Sequence, residues 1–230
     1  MGAGQGRDGA EDTGSTVSPT VFVSTGERAH AELLKVVVQN LEKKSGLAGA
    51  LVRQHEPDVM LAQEISLRSE DSGLFPARHT SRAGFGTAIH GEVTDVRLVT
   101  SPHAEVGGFI YKKTTVALAG GVQYVSFHGY NGQPLKSVEK LVAHVDAVLA
   151  VLHPGPALFA GDFNTWTQEH LDVVVGRMEA AGFRLACSWP YPKRRIPLDL
   201  AFLRGLALVS CECYVCEADH AGAVLRLFVE

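Results

Sequence analysis

Ala157-Leu158-Phe159-Ala160-Gly161-Asp162-Phe163-Asn164-Thr165 decides the reading of this 230-residue chain. An apolar run of strand length ends in a carboxylate and, two residues later, an amide. In open α/β layer structures, ligands bind at the carboxyl ends of strands. On an extended backbone Asp162 and Asn164 project to one side, so both reach a single phosphate or metal ion. Further polar groups follow strand-like apolar runs elsewhere: Asn40, Glu64, His128, and the pair Asp219-His220 with Asp199 upstream.

A chain of this length holds one well-buried core, so one domain over residues 20–230 and a monomer are expected. Residues 1–19, rich in Gly, Ser and acids, read as a flexible tail. Hydrophobic residues make up 46% of the chain, which excludes a disordered protein. The net charge of -4 argues against tight, sequence-blind binding of nucleic acid through a basic surface. A bound divalent cation would offset local acidity, so a nuclease stays open. No run reaches the ~18 apolar residues that span a bilayer, and the first twenty residues, without an apolar h-region, do not read as a secretory signal. The cysteines are Cys187, Cys211, Cys213 and Cys216. In a regular strand Cys211 and Cys213 share a face with Val209 and Val215 while Cys216 points away, which defeats a zinc site. Buried reduced thiols in a reducing, cytoplasmic compartment are the reading.

Periodicity places strands at 34–40, 58–64, 86–90, 96–100, 109–113 into 116–118, 123–128, 198–204, 207–215 and 222–229. Helices are expected at 46–55 and 134–152, the second with one apolar stripe. A third opens with the capping-box pattern Thr165-Trp166-Thr167-Gln168, which puts Asn164 just outside its first turn. Residues 69–82 and 188–197 read as loops, and Gly120-Gly121 as a hairpin turn. There is no internal repeat. Many strands, few helices and tight hairpins suggest two mixed sheets packed face to face with helices outside.

Glu64, Asp162 and Asp219 are hard oxygen donors, suited to Mg²⁺ or Mn²⁺ and poorly suited to zinc. Asn40 and Asn164 add neutral oxygens or amide donors for a phosphate, and His128 and His220 exchange protons near neutral pH. Together these supply metal-assisted hydrolysis of a phosphate ester. With Val38-Gln39-Asn40, Leu61-Ala62-Gln63-Glu64, Ser126-Phe127-His128, Gly161-Asp162-Phe163-Asn164, Leu198-Asp199-Leu200-Ala201-Phe202 and Ala218-Asp219-His220 in this order, the chain resembles the endonuclease/exonuclease/phosphatase superfamily. This is the fold of pancreatic-type deoxyribonuclease, and the resemblance covers roughly residues 34–229. It implies a four-layer α/β sandwich, two central mixed β-sheets flanked by helices, with the site at one open end.

The resemblance also implies roles. Glu64 matches the principal metal ligand, with Asn40 and Asp219 beside it. Asp162 and Asn164 match the pair that orients or activates water and holds the phosphate, and His220 matches a histidine backed by Asp199. His128 matches a second histidine of the deoxyribonuclease branch, whose orienting glutamate corresponds to Glu105. Two carboxylate–imidazole pairs would then flank the scissile phosphate, each carboxylate raising the pKa of its histidine. The chain departs from the pattern at Ala218, where Ser is commoner, at Leu200, where His, Tyr or Arg is usual, and in its short loops.

The loop Ser188-Trp189-Pro190-Tyr191-Pro192-Lys193-Arg194-Arg195 reads in two ways. One is a substrate lip, with Arg194 and Arg195 on phosphates and rings stacked on bases; the other is a rigid surface loop. Lys43-Lys44 and Lys112-Lys113 are too brief to carry a reading. Structural readings stay open beside the functional ones: Asp162 as a turn residue, Asn40 as a cap, Glu64 as a solvated strand end, Asp219-His220 as a surface turn, His128 at a core edge, Glu105 as a loop acid. The function expected first is a Mg²⁺- or Mn²⁺-dependent phosphoesterase cutting phosphodiesters, with DNA or RNA as substrate. Phosphoester hydrolysis on a small, lipid or inositol phosphate is the alternative, and a catalytically silent binding module of the same fold is another.

Overall fold

The computed structural model describes residues 33–66, 70–82, 85–105, 108–131, 137–191 and 195–230. The expected tail therefore lies outside the described residues. In chain order the elements are β1 (Leu34–Asn40), α1 (Leu47–His55), β2 (Val59–Ser66), a 3-10 turn (Glu70–Leu74), β3 (Ala77–Thr80), β4 (Phe85–His90), β5 (Thr94–Ala104) and β6 (Tyr111–Ala119). They continue as β7 (Val122–His128), α2 (Val138–Leu149), β8 (Ala157–Asp162), α3 (Gln168–Ala180), β9 (Arg184–Trp189), β10 (Asp199–Arg204), β11 (Leu206–Tyr214) and β12 (Gly222–Val229).

Two six-stranded mixed sheets result, ordered β11-β12-β1-β2-β4-β3 and β5-β6-β7-β8-β10-β9. Each sheet has one parallel pair at its centre, β1 with β2 and β7 with β8. Parallel neighbours need a crossover, and α1 and α2 provide it. The two halves thus repeat a topology without repeating a sequence.

Strand alternation sorts the apolar side chains into three cores. Val36, Val38, Val59 and Leu61 from the first sheet meet Ala117, Tyr124, Leu158, Ala160 and Ala201 from the second. Their neighbours Val37, Met60 and Ala62 turn outward against Leu47, Ala48 and Leu51 of α1. On the far side Val125, Phe127, Phe159 and Phe202 pack under Leu141, Val145 and Val148 of α2 and Val174 and Met178 of α3. Strands covered on both faces have no place for polar residues, which is why β1 and β8 read as continuous apolar runs. Helix, sheet, sheet, helix is the four-layer sandwich.

Five local expectations are corrected. Residues 69–82 hold the 3-10 turn and the edge strand β3 rather than only loop, and β9 reaches to Trp189. The N-cap of α3 is Thr167, whose hydroxyl accepts from His170 N at 3.2 Å, while Thr165 Oγ1 donates to Pro197 O. A bulge between Leu208 and Ser210 breaks the alternation of β11, so Val209 is exposed while Cys211 is buried. All four cysteines are free, and Cys213 and Cys216 are only partly buried.

Phe159 touches Phe127, Phe163 and Phe183, with ring centroids 5.0, 5.5 and 6.1 Å away. Replacing it with Ala should lower stability by about 3–5 kcal/mol, read from denaturant midpoints at unchanged slope. A loss below about 1 kcal/mol, the range of tolerated repacking, would refute the packing of the outer core.

Candidate active site

The four parallel strands end at one place. Asn40 closes β1, Glu64 lies near the end of β2, and His128 and Asp162 close β7 and β8. Register makes Asp162 the centre of a row, paired with His128 on one side and Asp199 of β10 on the other. His220 comes in from the turn before β12. Its Nδ1 lies 2.7 Å from Asp199 Oδ2, and its Nε2 lies 3.8 Å from Asp162 Oδ2. His128 Nε2 stands 3.6 Å from the same Asp162 oxygen, and Asn40 Nδ2 donates to it at 3.3 Å.

The local sequence explains the placement of Asp162. A Cβ on Gly161 would sit 2.2 Å from Phe127 O of the neighbouring strand β7 and 3.0 Å from Gln63 Nε2 of the facing sheet, and its φ of 138° is left-handed, so only glycine lets β8 pair with β7 here. Phe163 then turns into the outer core, 4.7 Å from Phe127 and 5.3 Å from Phe202. The chain does not stay extended. Asn164 takes φ 55°, its N–H donates to Asp162 Oδ1 at 2.9 Å, and its Nδ2 donates to Gly129 O at 3.0 Å. Asp162 and Asn164 are therefore neighbours through a turn, not through strand alternation.

Burial sets the electrostatics. Asp162 is almost fully buried, which pushes its carboxyl up to about 7 against the opposing pull of His220. Burial also raises Asp199, with the His220 hydrogen bond opposing. For His220, burial alone would lower the pKa; the Asp199 hydrogen bond and the charges of Asp199, Asp162 and Asp219 outweigh it and raise it to about 9.

His128 behaves differently from the expectation. No direct ion pair joins it to Glu105 among the described residues. Lys112 stands between them, its Nζ 2.5 Å from His128 Nε2 and 3.8 Å from Glu105 Oε1. The ammonium donates to the imidazole, so the ring is neutral at that nitrogen. Burial first, then Lys112 and His220, lower the His128 pKa well below its ordinary value. The pairing of Glu105 with His128 is thus replaced by a chain through Lys112, and a raised His128 pKa is corrected to a lowered one. Glu105 Oε1 also accepts from Asn131 N at 2.7 Å.

The oxygen-donor side lies next to this chain. Glu64 sits where the β2–β4 register slips between Ala62 and Ile65, and takes φ 50°. Glu42 and Lys43 are also left-handed, at φ 48° and 61°. Such backbone costs about 1–3 kcal/mol per residue and collects at functional sites. Lys43 N donates to Glu64 O at 2.9 Å, and Lys43 Nζ lies 3.5 Å from Glu64 Oε2. Glu64 Oε1 is 3.7 Å from His128 Nε2. Asn40 Oδ1 accepts from Glu42 N, and Glu42 Oε2 accepts from Asp219 N, both at 3.0 Å. Glu64, Asn40 and the exposed Asp219 are thus tied to one short segment, residues 40–43.

Among the described residues no three His, Cys, Asp or Glu side chains stand ready as a metal cage. The donor chemistry nevertheless fits a hard divalent cation. Every candidate donor is oxygen, and the ammonium of Lys43 already stands as a cation against Glu64.

A belt of contacts runs round the mouth. The Tyr191 ring meets His220 at 4.7 Å and Trp166 at 6.5 Å, both edge-on. Trp166 Nε1 donates to Asn131 Oδ1 at 2.8 Å, and Asn131 N binds Glu105. Trp189 is not part of the lip: it is buried, and its Nε1 donates to Ala221 O at 3.1 Å. Arg195 is exposed, and Arg194 lies outside the described residues. Sequence reasoning passed over Lys112 and Lys43 because a two-lysine run has no periodicity; only the paired strands bring them to Glu105, His128 and Glu64.

The sequence model of the Endonuclease/Exonuclease/phosphatase family matches residues 39–220, well over half of the chain. Among curated proteins, the UPF0294 protein VV2535 of Vibrio vulnificus is 38% identical over 97 residues, 40% of this chain and 34% of that protein. A UPF0294 protein of Vibrio campbellii is 29% identical over 126 residues, 52% of this chain and 44% of its own length. The matches span less than half of these relatives. Among solved structures, the endonuclease/exonuclease/phosphatase of Bacteroides vulgatus superposes with a TM-score of 0.60 at 15% identity, over 86% of this chain and 100% of that one. D. rerio TDP2, complexed with single-strand DNA product, gives 0.61 at 14% identity, over 85% and 98%. The endonuclease domain of TRAS1, a telomere-specific non-LTR retrotransposon, gives 0.59 at 17%, over 86% and 99%. At these identities the structures share the fold.

The Asp199–His220 pair has a signature in stability. The pKa of His220 rises from 6.5 to about 9 on folding, so protonation favours the native state. That contribution is fully present below pH 6.5 and is lost as pH rises through 9. The stability gap between the protein and His220→Ala should therefore be widest near pH 6 and shrink towards pH 9.5, measured by urea unfolding. A gap that does not change with pH would show that folding leaves the His220 pKa unshifted, and one that widens as pH rises would show that the fold keeps the imidazole neutral.

Proposed function

The chain belongs to the endonuclease/exonuclease/phosphatase family, and from that premise we propose that it is a divalent-metal-dependent phosphoesterase that hydrolyses phosphodiesters with water as nucleophile. The observation that carries this reading is the set of groups around one oxygen. Asp162 Oδ2 lies 3.6 and 3.8 Å from two imidazoles of opposite character, the neutral His128 and the charged His220.

The roles follow from the pKa directions. Asp162, raised to about 7, is poised to take a proton from water near neutral pH. The Asn164 turn and the Asn40 amide fix its carboxylate in place. As the oxygen of water bonds to phosphorus and the ester P–O bond breaks, its electron pair departs on the leaving oxygen, and negative charge grows there and on the phosphoryl oxygens. Protonated His220, held by Asp199, is one positive group for that charge. Lys112 is the second, taking the part the resemblance would have given to a protonated His128. Asn164 and His128 complete the phosphate contacts, and Glu105 acts through Lys112 by holding its ammonium. Glu64, Asn40 and Asp219 would hold Mg²⁺ or Mn²⁺, which when bound neutralises phosphate charge.

No described helix is long and apolar enough to cross a membrane, and four free thiols support a cytoplasmic location. DNA or RNA is a substrate consistent with the neighbour crystallised with single-strand DNA.

With bis(p-nitrophenyl) phosphate and Mg²⁺, Asp162→Asn and His220→Ala should each lower kcat by about 10²–10⁴-fold, with KM little changed. Lys112→Met should lower kcat by about 10²–10³-fold, the scale of one lost charge-stabilising donor, and Lys112→Arg should recover part. Glu64→Gln should flatten the Mg²⁺ dependence. Undiminished turnover in excess chelator would overturn the proposal.

A further inference from the structure

Beside the reacting groups lies a cavity of about 570 Å³, within the ~300–1,000 Å³ of small-molecule sites. Its floor is shared with the site just described, since Glu64 and His128 line it. Apart from Ser81, Gly86 and the acid Glu105, its remaining lining is of two kinds. Lys43, Arg82, Lys112 and Lys113 bring positive charge in a chain whose net charge is -4. The opposite character comes from Phe85, Phe109, Ile110 and Tyr111, whose residues are 41%, 89%, 60% and 41% exposed.

Four large apolar side chains left in water around one hollow are unusual for a surface that needs nothing from them. The backbone explains how they gather. Phe85 opens β4 and Tyr111 opens β6, and Ile110 O accepts from Glu105 N at 2.7 Å, which folds the turn before β6 against the end of β5. Lys43 Nζ lies 5.2 Å from the Phe85 ring centroid, a cation–π contact that ties this ring to the Glu64 side of the site.

Lys112 joins the two halves. It lines the cavity while its ammonium touches His128 and Glu105. A phosphate resting between His220 and Lys112 would leave its attached group facing the aromatic wall. Three of the four wall side chains carry flat rings, which favour flat partners through stacking.

We propose that this cavity is a subsite for a flat aromatic group attached to the substrate phosphate, a nucleobase or a simple aryl group, with Lys112 binding the phosphate at its threshold. The proposal rests on the reading of the Asp162–His220 centre as the phosphate site, and it goes further by choosing the substrate class.

Binding to the full chain, with and without Mg²⁺, tests it by calorimetry with thymidine 5′-monophosphate, phenyl phosphate, ribose 5-phosphate and hexyl phosphate. The two ring-bearing phosphates should bind more tightly than the other two. Phe109→Ala and Tyr111→Ala should each weaken them by about 5- to 100-fold, the effect of losing one stacking partner, and leave ribose 5-phosphate unchanged. Phe109 is so exposed that its loss leaves the fold intact, which thermal melting checks. Tighter binding of the thymidine compound assigns the ring to a nucleobase, and tighter binding of phenyl phosphate to an aryl group; either supports the subsite. Ring-dependent binding without any phosphodiester hydrolysis would keep the subsite and sink the enzymatic reading. Hydrolysis with no ring preference would do the reverse. Hexyl phosphate binding as tightly as the ring compounds, or no change in the two variants, would overturn the proposal.

Discussion

A carboxylate held out of water organises this molecule. Asp162 is 2% exposed, and an ionised group in such a place is costly unless other groups compensate it. Compensation comes from four directions: an amide from β1, a backbone N–H from the turn after β8, the Lys112 ammonium from β6 and the imidazolium from the turn before β12. No single strand, and neither sheet alone, supplies that environment. The sheets must meet with their parallel ends level to within hydrogen-bond distance, and much of the remaining architecture serves that alignment.

The alignment is secured by polar contacts inside the sandwich. Gln63 Nε2 donates to Ser126 Oγ at 2.9 Å, and Ser126 Oγ donates to Ala62 O at 2.8 Å, both across the two sheets. Thr87 and Thr115 pair at 2.9 Å in the same way. Gln39 Nε2 donates to His220 O at 3.1 Å, fixing the turn that carries the imidazole. Purely apolar faces could slide over one another with little loss. These buried donors leave a cost of about 1–3 kcal/mol each if they are unmade, so they fix one register. The seam trades some stability for position.

What could be read from the sequence follows from how burial writes itself into composition. β1, β2, β7 and β8 are covered on both faces, so their apolar runs stand out and the polar residue ending each run is conspicuous. Edge elements leave weaker marks. β3 has only Ala77 buried, and in β9 Leu185 faces solvent while Trp189 is packed inside, which blurs any alternation. The bulge at Val209 has no glycine or proline to announce it. The charge logic was hidden for another reason. Glu105 and His128 lie 23 positions apart in the sequence, and that Lys112 would stand between them depends on how β5 and β6 pair. A motif can name the participants at a site, but the sign of a histidine's pKa shift depends on neighbours supplied by other strands.

The position of β12 ties completion of the site to the order in which the chain is synthesised. β1 lies near the start of the described residues, yet one of its two partners is the last described strand, from Leu34 opposite Leu227 to Val38 opposite Ala223. Until that strand emerges from the ribosome, β1 presents a bare, apolar edge, and the turn bearing His220 has not been made. Nascent polypeptide lacking this final stretch has Glu64, Asp162 and Asn164 but no imidazolium to oppose Asp162. Domains tend to fold as they emerge, beginning at the amino end; here the amino-terminal sheet has to wait. An incomplete translation product would thus be prone to aggregate and would lack the imidazolium beside Asp162, both for want of the same stretch of chain.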